Sequence, residues 1–423
     1  MTDDKRPQIV VLGGGFGGLT FCQVFSDPRA RVTLIDRQNH HLFQPLLYQV
    51  ATAGLSAPEI AQPIRSILAD RQQVEVRMDE VVEIRPATRE VITRQQTIPY
   101  DYLVIALGGV TTYFGHPEWE AFAPGLKTLE DAVRIRRKVL LAFEQAETAT
   151  DPAVQRRLMT MVVVGGGPTG VELAGALVEL ARTVLHSDFR NIDPGQARII
   201  LIEASPVVLS NFPDDLAADA TETLRRMGVE VHTSRKVKSM SAEGVELDNG
   251  EKVESVNIIW AAGVGANPLM RQLGVELDRA GRVKVNPDCS VPGHPEVFAI
   301  GDNASFIQPD GRPVPGVSPA AMQMARHVAR IIEEELGSPG RDPLSRPAFR
   351  YWDKGSMATI GRSAAVAWIR DIHLTGFPAW VAWLVVHLLF LIGFRNKLAV
   401  LVQWAYSYFA YKRGARIISQ PRP

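Results

Sequence analysis

The sequence predicts an α/β protein: two Rossmann-like dinucleotide-binding domains, one inserted in the other, plus amphipathic membrane-anchoring helices at the C-terminus. Three observations carry that expectation. Short β-branched runs alternate with helical patterns along most of the chain, as parallel sheets with crossover helices require. A glycine fingerprint follows a strand twice, at Gly13–Gly18 and again at Gly165–Gly170. Near the C-terminus, Pro378–Phe394 is almost wholly apolar, broken only by His387.

Composition narrows the class. At 423 residues the chain exceeds one compact core, so two or three domains are expected. Forty-six basic residues balance 46 acidic ones, and no basic stripe marks a nucleic-acid partner. Two cysteines, Cys22 and Cys289, lie far apart in apolar runs. That spacing excludes a disulfide scaffold, a zinc knuckle and a CxxC redox centre, and buried structural thiols are expected. The N-terminal MTDDKRP leads straight into a strand, so no signal peptide is expected.

The first unit opens with strands Gln8–Leu12 and Arg31–Asp36 around a helix near Leu19–Phe25. Val81–Ile98 alternates apolar and charged residues, an antiparallel meander, and Tyr102–Leu107 is a strand buried on both faces. Thr128 and Asp131 form a capping box before a helix over Ala132–Ala146. Ala149–Gln155 reads as a linker. The second unit then runs strand Met161–Val164, helix Thr169–Leu185, strand Arg198–Glu203, helix Leu216–Met227, strand Val229–Thr233 and strand Val256–Trp260, with a hairpin at Asn249-Gly250. Val297–Ile300 and a helix over Ala320–Glu335 return to the first domain. Gly337–Pro347, rich in Gly, Pro and Ser, separates the C-terminal segment.

The fingerprints carry the chemistry. In Gly13-Gly14-Gly15-Phe16-Gly17-Gly18 the first glycine makes a tight turn and the second admits a pyrophosphate. The third packs helix on strand, and the helix N-terminus offers N–H groups to the anion. Asp36, eighteen residues beyond Gly18, ends the next strand where a carboxylate can accept from ribose hydroxyls. The second copy, Gly165-Gly166-Gly167-Pro168-Thr169-Gly170, has Glu203 as its acid, at a spacing stretched by an insertion over Thr183–Ala197. An acid there favours NADH, because it would repel the 2′-phosphate of NADPH. Two fingerprints call for two dinucleotides, and FAD with a nicotinamide is the economical pair. Gly301-Asp302 after the strand in "VFAIGDNA" supplies a carboxylate for a ribityl chain, supported by "YLVIALGG" at Tyr102–Gly109.

This arrangement resembles the two-dinucleotide-binding-domain flavoproteins and, more narrowly, the type II NADH:quinone oxidoreductases. The resemblance rests on "NHHLFQPLLYQVATAGL" (Asn39–Leu55), "GGGPTGVELAGAL" (Gly165–Leu177), "IWAAGV" (Ile259–Val264), "YWDKGSMATIGR" (Tyr351–Arg362) and "HLLFLIGFRNKLAVLVQWAYSYF" (His387–Phe409). It implies hydride transfer from NADH to FAD, then electron transfer to a membrane quinone in a respiratory chain, without proton pumping. It implies a cofactor-binding set of Gly13, Gly15, Phe16, Gly17, Gly18, Asp36, Arg37, Val82, Ala106, Gly108, Gly301, Asp302, Gly165, Gly167, Pro168, Thr169, Gly170, Glu203 and Gly263. Glu172, near the nicotinamide–flavin junction, is the catalytic candidate; a helix-dipole acid is the plainer reading of it. Gln44, Tyr48, Gln323 and Lys354 are the quinone-binding candidates, although only Gln323 survives of the glutamine motif such enzymes often carry. His40-His41 reads as packing, and no metal site is expected.

The implied domains are 1–112 (first part of the FAD domain), 113–280 (NADH domain), 281–345 (second part of the FAD domain) and 346–423 (membrane-associated segment). Pro378–Phe394 is short for a bilayer span. It is flanked by Arg395, Lys397, Lys412, Arg413 and Arg416, with Trp380, Trp383, Trp404, Tyr406, Tyr408 and Tyr411 nearby. In the last helix Asn396, Gln403 and Ser407 share one face and Leu398, Leu401, Val402, Ala405 and Phe409 the other, which suits a helix lying in the membrane surface. The same apolar faces are open to reading as a homodimer interface or a buried core helix. The expected location is the cytoplasmic face of the inner membrane, as a peripheral or monotopic protein. Two rivals stand beside this reading. A sulfide:quinone oxidoreductase would need redox cysteines beside the flavin, and a non-catalytic NADH-responsive flavoprotein would lack turnover.

Overall fold

The computed structural model describes residues 6–338, 340, 342–410 and 415–418. Expectations resting on the first five residues, on the side chains of Ser407, Tyr408 and Phe409, and on Tyr411, Lys412 and Arg413 lie outside the described residues. The chain forms two compact units. The first comprises Met1–His41, Gln62–Val110 and Val264–Asp353, and the second Leu42–Ala61, Thr111–Gly263 and Lys354–Pro423.

In the first unit, β-branched and leucine-rich runs pair into a six-stranded sheet. Its order is Ser290–Val291, His294–Ala299, Tyr102–Ile105, Gln8–Leu12, Arg31–Asp36, Val74–Met78. Every pairing is parallel except the first, which is antiparallel. The Gln8–Leu12 strand is buried at every position, as expected where helices cover both faces. The Phe16–Val24 helix packs along the Ser318–Gly337 helix. Chain order reverses at Gln8–Leu12, so the crevice beyond its carboxyl end is the topological switch point. The expected meander is present as Val81–Arg85, Glu90–Thr93 and Thr97–Pro99.

The second unit repeats the plan with a four-stranded parallel sheet ordered Val229–His232, Arg198–Ile202, Thr160–Val164, Asn257–Trp260. The hairpin at Asn249-Gly250 joins Gly244–Leu247 to Lys252–Glu254, with Gly250 at φ +86°. Thr128 accepts from Asp131 N while Asp131 accepts from Thr128 N, closing the capping box of the Leu129–Thr148 helix. A three-stranded antiparallel sheet (Ser356–Thr359, Ala365–Ile369, Ile372–Thr375) precedes the helices Gly376–Phe390 and Phe394–Ala410.

Three boundaries differ from expectation. The first helix starts at Phe16, directly after Gly15, because Gly17 and Gly18 are helical despite their low propensity. The supposed linker at Ala149–Gln155 is half helix: Asp151 accepts from Ala153 N and starts Pro152–Leu158. Gly337–Pro347 is no free spacer either. The Arg346 side chain, 4% exposed, pairs with Glu335 through two bonds of 2.7 and 3.0 Å and with Asp288 at 2.9 Å. A fourth difference has a local cause. The expected Thr169–Leu185 helix runs only over Pro168–Glu179 before widening to a π turn at Leu180–Val184, closed by Leu185 N to Leu180 O at 2.9 Å.

No helix among the described residues is long and apolar enough to cross a membrane. The last two helices turn apolar side chains outward, and Gly376–Phe390 is apolar all round. Ala379, Trp383, Asn396 and Val400 face inward, while Phe377, Val381, Val385, Leu389, Phe390, Leu398, Leu401 and Val402 are exposed. The expected division of the final helix therefore holds over its described part, with the apolar side outward.

Candidate functional site

The two glycine loops are built alike, atom by atom. Gly13 and Gly165 sit at φ +97° and +112°, where a side chain would be strained. A Cβ there would strike the Ala106 carbonyl or the Ala261 carbonyl. Gly18 and Gly170 press so close to the carbonyls of Gly13 and Gly165 that alanine would collide at either. The N-cap glycines, Gly15 and Gly167, face open space, and no side chain caps the helix that follows either one. Each loop thus presents uncapped helix N–H groups to an open face, the arrangement that takes a pyrophosphate. Each acid braces its own loop: Asp36 accepts from Gly14 N (2.5 Å) and Gln38 N (2.7 Å). Glu203 accepts from Gly166 N (2.5 Å) and Ser205 N (2.6 Å). Burial pushes the Asp36 carboxyl up against the downward pull of those two amides. A carboxylate has room for further acceptance, so ribose hydroxyls can still be met.

Around the first loop the structure adds Asn303, which sequence reading did not single out, and shows how Asp302 and His41 sit. Asn303, fully buried, clamps the turn after Tyr102–Ile105, with Oδ1 accepting from Leu107 N at 2.9 Å and Nδ2 donating to Gly108 O at 2.8 Å. It stands one residue after the nominated Asp302, and a buried amide in a Gly-Asp-Asn turn is the signal that could have found it. Asp302 is engaged by no described side chain or amide, and its oxygens lie 3.0 Å from where a Cβ on Gly109 or Gly316 would be. Two glycines therefore keep space beside a free carboxylate. His41 is 2% exposed, packs edge-on to Phe16 at 5.0 Å, and its Nδ1 lies 3.0 Å from Gly14 O. Burial lowers its pKa, so the neutral ring donates from Nδ1 and leaves Nε2 buried without a partner. These features fit a flavin dinucleotide.

In the second unit Glu172 lies on the Pro168–Glu179 helix, 8% exposed. Burial pushes its carboxyl up to about 8, against a backbone bond from Thr359 N at 3.3 Å. The Trp383 indole N–H comes near enough to lower it slightly, yet makes no bond of acceptable geometry. Tyr48 hydrogen-bonds Thr359 Oγ1 at 3.0 Å, and both line a cavity of about 170 Å³ walled by Trp380, Trp383, Leu384 and Trp404. His387 stacks on Trp383 at 3.9 Å, and burial lowers its pKa to about 4.

The other nominated residues are more scattered. Gly17 packs on Ile300, Ala106 is buried, and Gly301 takes φ +63° before Asp302. Arg37 and Val82 are exposed; the Val82 carbonyl accepts from Gln272. Pro168 and Thr169 open their helix, exposed, and Gly263 at φ +76° abuts Thr112 and Phe114. Of the quinone candidates in this unit, Tyr48 lines the aromatic cavity, whereas Gln44 and Lys354 are exposed and absent from its wall. Gln323 is partly engaged: its amide exchanges two 3.0 Å bonds with the backbone of Trp352, which leaves it a second N–H and a second lone pair. Both cysteines are buried thiols, raised well above their usual range by burial.

Comparison with known proteins adds to this geometry. The pyridine nucleotide-disulphide oxidoreductase family matches residues 7–325. The type II NADH:quinone oxidoreductase Ndh of Mycobacterium tuberculosis is 42% identical over 427 residues, 98% of this chain and 91% of that protein. The structure of NDH2 from Plasmodium falciparum in complex with NADH superposes with a TM-score of 0.89 at 19% identity, covering 98% of this chain and all of the other. The sulfide:quinone oxidoreductase of Aquifex aeolicus matches with a TM-score of 0.71 at 20% identity, over 96% of this chain and 95% of that one. The two structural matches speak to fold alone.

Proposed function

The chain belongs to the pyridine nucleotide-disulphide oxidoreductase family and is a type II NADH:quinone oxidoreductase; from that premise we propose how its residues share the work. Its cofactors are FAD and NADH. The first unit holds FAD, through Gly13, Gly15, Gly18, Asp36, Asp302 and the Asn303 clamp. The second holds NADH, through Gly165, Gly167, Gly170 and Glu203. A flavin held in the first unit would supply the redox chemistry of hydride acceptance from NADH and electron delivery to quinone, without ion pumping. The observation that carries this reading is the duplicated cradle: two uncapped helix N-termini, each behind a glycine turn braced by its own acid.

The protein's part is placement and electrostatics. Glu203 puts a negative charge beside the 2′ position of the ribose and so favours NADH over NADPH. Glu172 is mostly protonated at neutral pH, given a carboxyl raised to about 8. Its Oε1 accepts from Thr359 N, so the proton is held on Oε2, available on the acceptor side. The exposed apolar faces of the last two helices lie in the membrane surface, with Trp380 and Arg395 at the interface, on the cytoplasmic side. The same faces can pair two copies as a homodimer. A sulfide reading is not favoured, because both thiols are buried and held protonated.

One spectrum tests the function. Bound flavin should bleach on anaerobic addition of NADH and recover on addition of quinone. Bleaching without recovery would make the chain an NADH-responsive flavoprotein instead.

A further inference from the structure

In the second unit a line of four polar side chains reaches the wall of the aromatic cavity, and chemistry fixes its direction. The Trp404 indole N–H can only donate, and it donates to Gln49 Oε1 at 2.8 Å. That contact determines which end of the amide faces which way. Gln49 therefore presents Nε2, which donates to the Tyr48 hydroxyl oxygen at 3.0 Å. Tyr48 is 7% exposed and shares a 3.0 Å bond with Thr359 Oγ1 in which either oxygen could donate; the phenol, the stronger acid and the poorer acceptor, already accepts from Gln49, and so it is the donor. Thr359 is 2% exposed. With its oxygen accepting from Tyr48, its own hydroxyl proton is left over and meets no acceptor among the described residues. That donor stands in the cavity wall.

We propose that Trp404 and Gln49 are positioning residues for the acceptor half of the reaction: acting through Tyr48, they aim the Thr359 hydroxyl at the carbonyl oxygen of a quinone ring seated in the aromatic cavity. This rests on the NADH:quinone reading above and names the group that meets the acceptor and what directs it. The cavity suits the occupant. A void of about 150 Å³ is enough for a benzene-sized ring, and this one, at about 170 Å³, is walled by Trp380, Trp383 and Trp404. A fixed donor gains strength as negative charge builds on the quinone oxygen and needs no reorientation at that moment. The line begins on the Phe394–Ala410 helix, so the polarity of the cavity wall is set by the tail.

The test inverts the line without emptying it. In Gln49→Glu a carboxylate accepts from Trp404 at one oxygen and from Tyr48 at the other. Tyr48 then accepts from Thr359, and the donor is withdrawn from the cavity. Full-length, flavin-loaded enzyme would be assayed with a short-chain benzoquinone and separately with ferricyanide. Gln49→Glu and Thr359→Val should each lower kcat/KM for quinone about three- to tenfold, the worth of one hydrogen bond. Anaerobic flavin reduction by NADH and ferricyanide turnover should be unchanged. The double variant should lose no more than either single one, since both remove the same donor, and Thr359→Ser should restore the rate. Multiplying losses, an equal fall in flavin reduction, or unchanged quinone kinetics in Thr359→Val would overturn the proposal. Wild-type enzyme that reduces ferricyanide but no quinone would instead overturn the functional reading beneath it.

Discussion

Replacing Glu172 with Gln should abolish a specific pH dependence of stability. Burial raises this carboxyl to about 8 from 4.5. Each pH unit of that gap is worth about 1.36 kcal/mol, so ionising the group inside the fold costs up to roughly 5 kcal/mol more than in the unfolded chain. The sign follows from proton counting. Between pH 4.5 and 8 the unfolded chain has released this proton while the folded chain keeps it, so stability falls as pH rises and levels off above 8. Unfolding entropy near 60 °C is about 2.1 cal/mol/K per residue, so for a chain of this length 5 kcal/mol is a Tm shift of roughly 5–6 °C. Thermal scans of flavin-loaded wild type and Glu172→Gln between pH 4.5 and 9 measure it. The variant should gain on the wild type by several degrees across that window. A difference that stays constant within about 1 °C would refute the burial argument for Glu172.

Other outcomes follow from the same geometry. Gly18→Ala should yield a colourless protein and Gly170→Ala a yellow one that NADH no longer bleaches, because the two collisions lie in separate cradles; absorbance spectra with and without NADH decide. Glu203→Gln should narrow the NADH-over-NADPH ratio of kcat/KM by about tenfold, the effect of about 1.4 kcal/mol. It should also raise KM for NADH, since an amide nitrogen would then face the N–H of Gly166 or Ser205; an unchanged ratio sinks the assignment. Changing Val385, Leu389 and Leu401 together to Ser should lower partition onto lipid vesicles about 100-fold, at roughly 1 kcal/mol for each half-exposed side chain. Ferricyanide turnover should persist, and co-sedimentation reads the result. Deleting the tail outright would be a poorer experiment, because it would strip out Trp383, 1% exposed, and the Trp404–Gln49 bond.

How much of this was legible in the sequence depended on whether the signal was local. The glycine turns, their acids, the Thr128 capping box and the Asn249-Gly250 hairpin are each set within a few residues or one βα unit, and each stands where the spacing put it. The inward and outward faces of the last helix followed from helical period. What escaped was tertiary. Nothing near Gln323 announces that its amide will fork onto Trp352, and nothing near Thr359 announces Tyr48, 311 residues earlier. Arg346 looked like part of a spacer because one partner, Asp288, lies 58 residues earlier and the other, Glu335, lies in the preceding helix. Asn303 was hidden beside a more conspicuous acid. The acids Asp36 and Glu203 were read as ribose partners, while their bonds to the loops they follow became visible only in three dimensions.

The Arg346 clasp bears on how the protein would break. Between Gly337 and Arg346 the described residues are exposed, with Leu344 at 92%, a place where proteases cut and insertions are tolerated. Downstream of it, Arg346 is held by Glu335, Asp288 and the Pro295 carbonyl, and Phe349 is buried with its amide bonded to Pro287 O at 2.7 Å. A nick in this stretch would sever the polypeptide and leave the pieces clasped. The cut protein would run as two bands in denaturing gels and as one species in native ones. The same stretch is therefore the place to insert a fluorophore or an affinity handle.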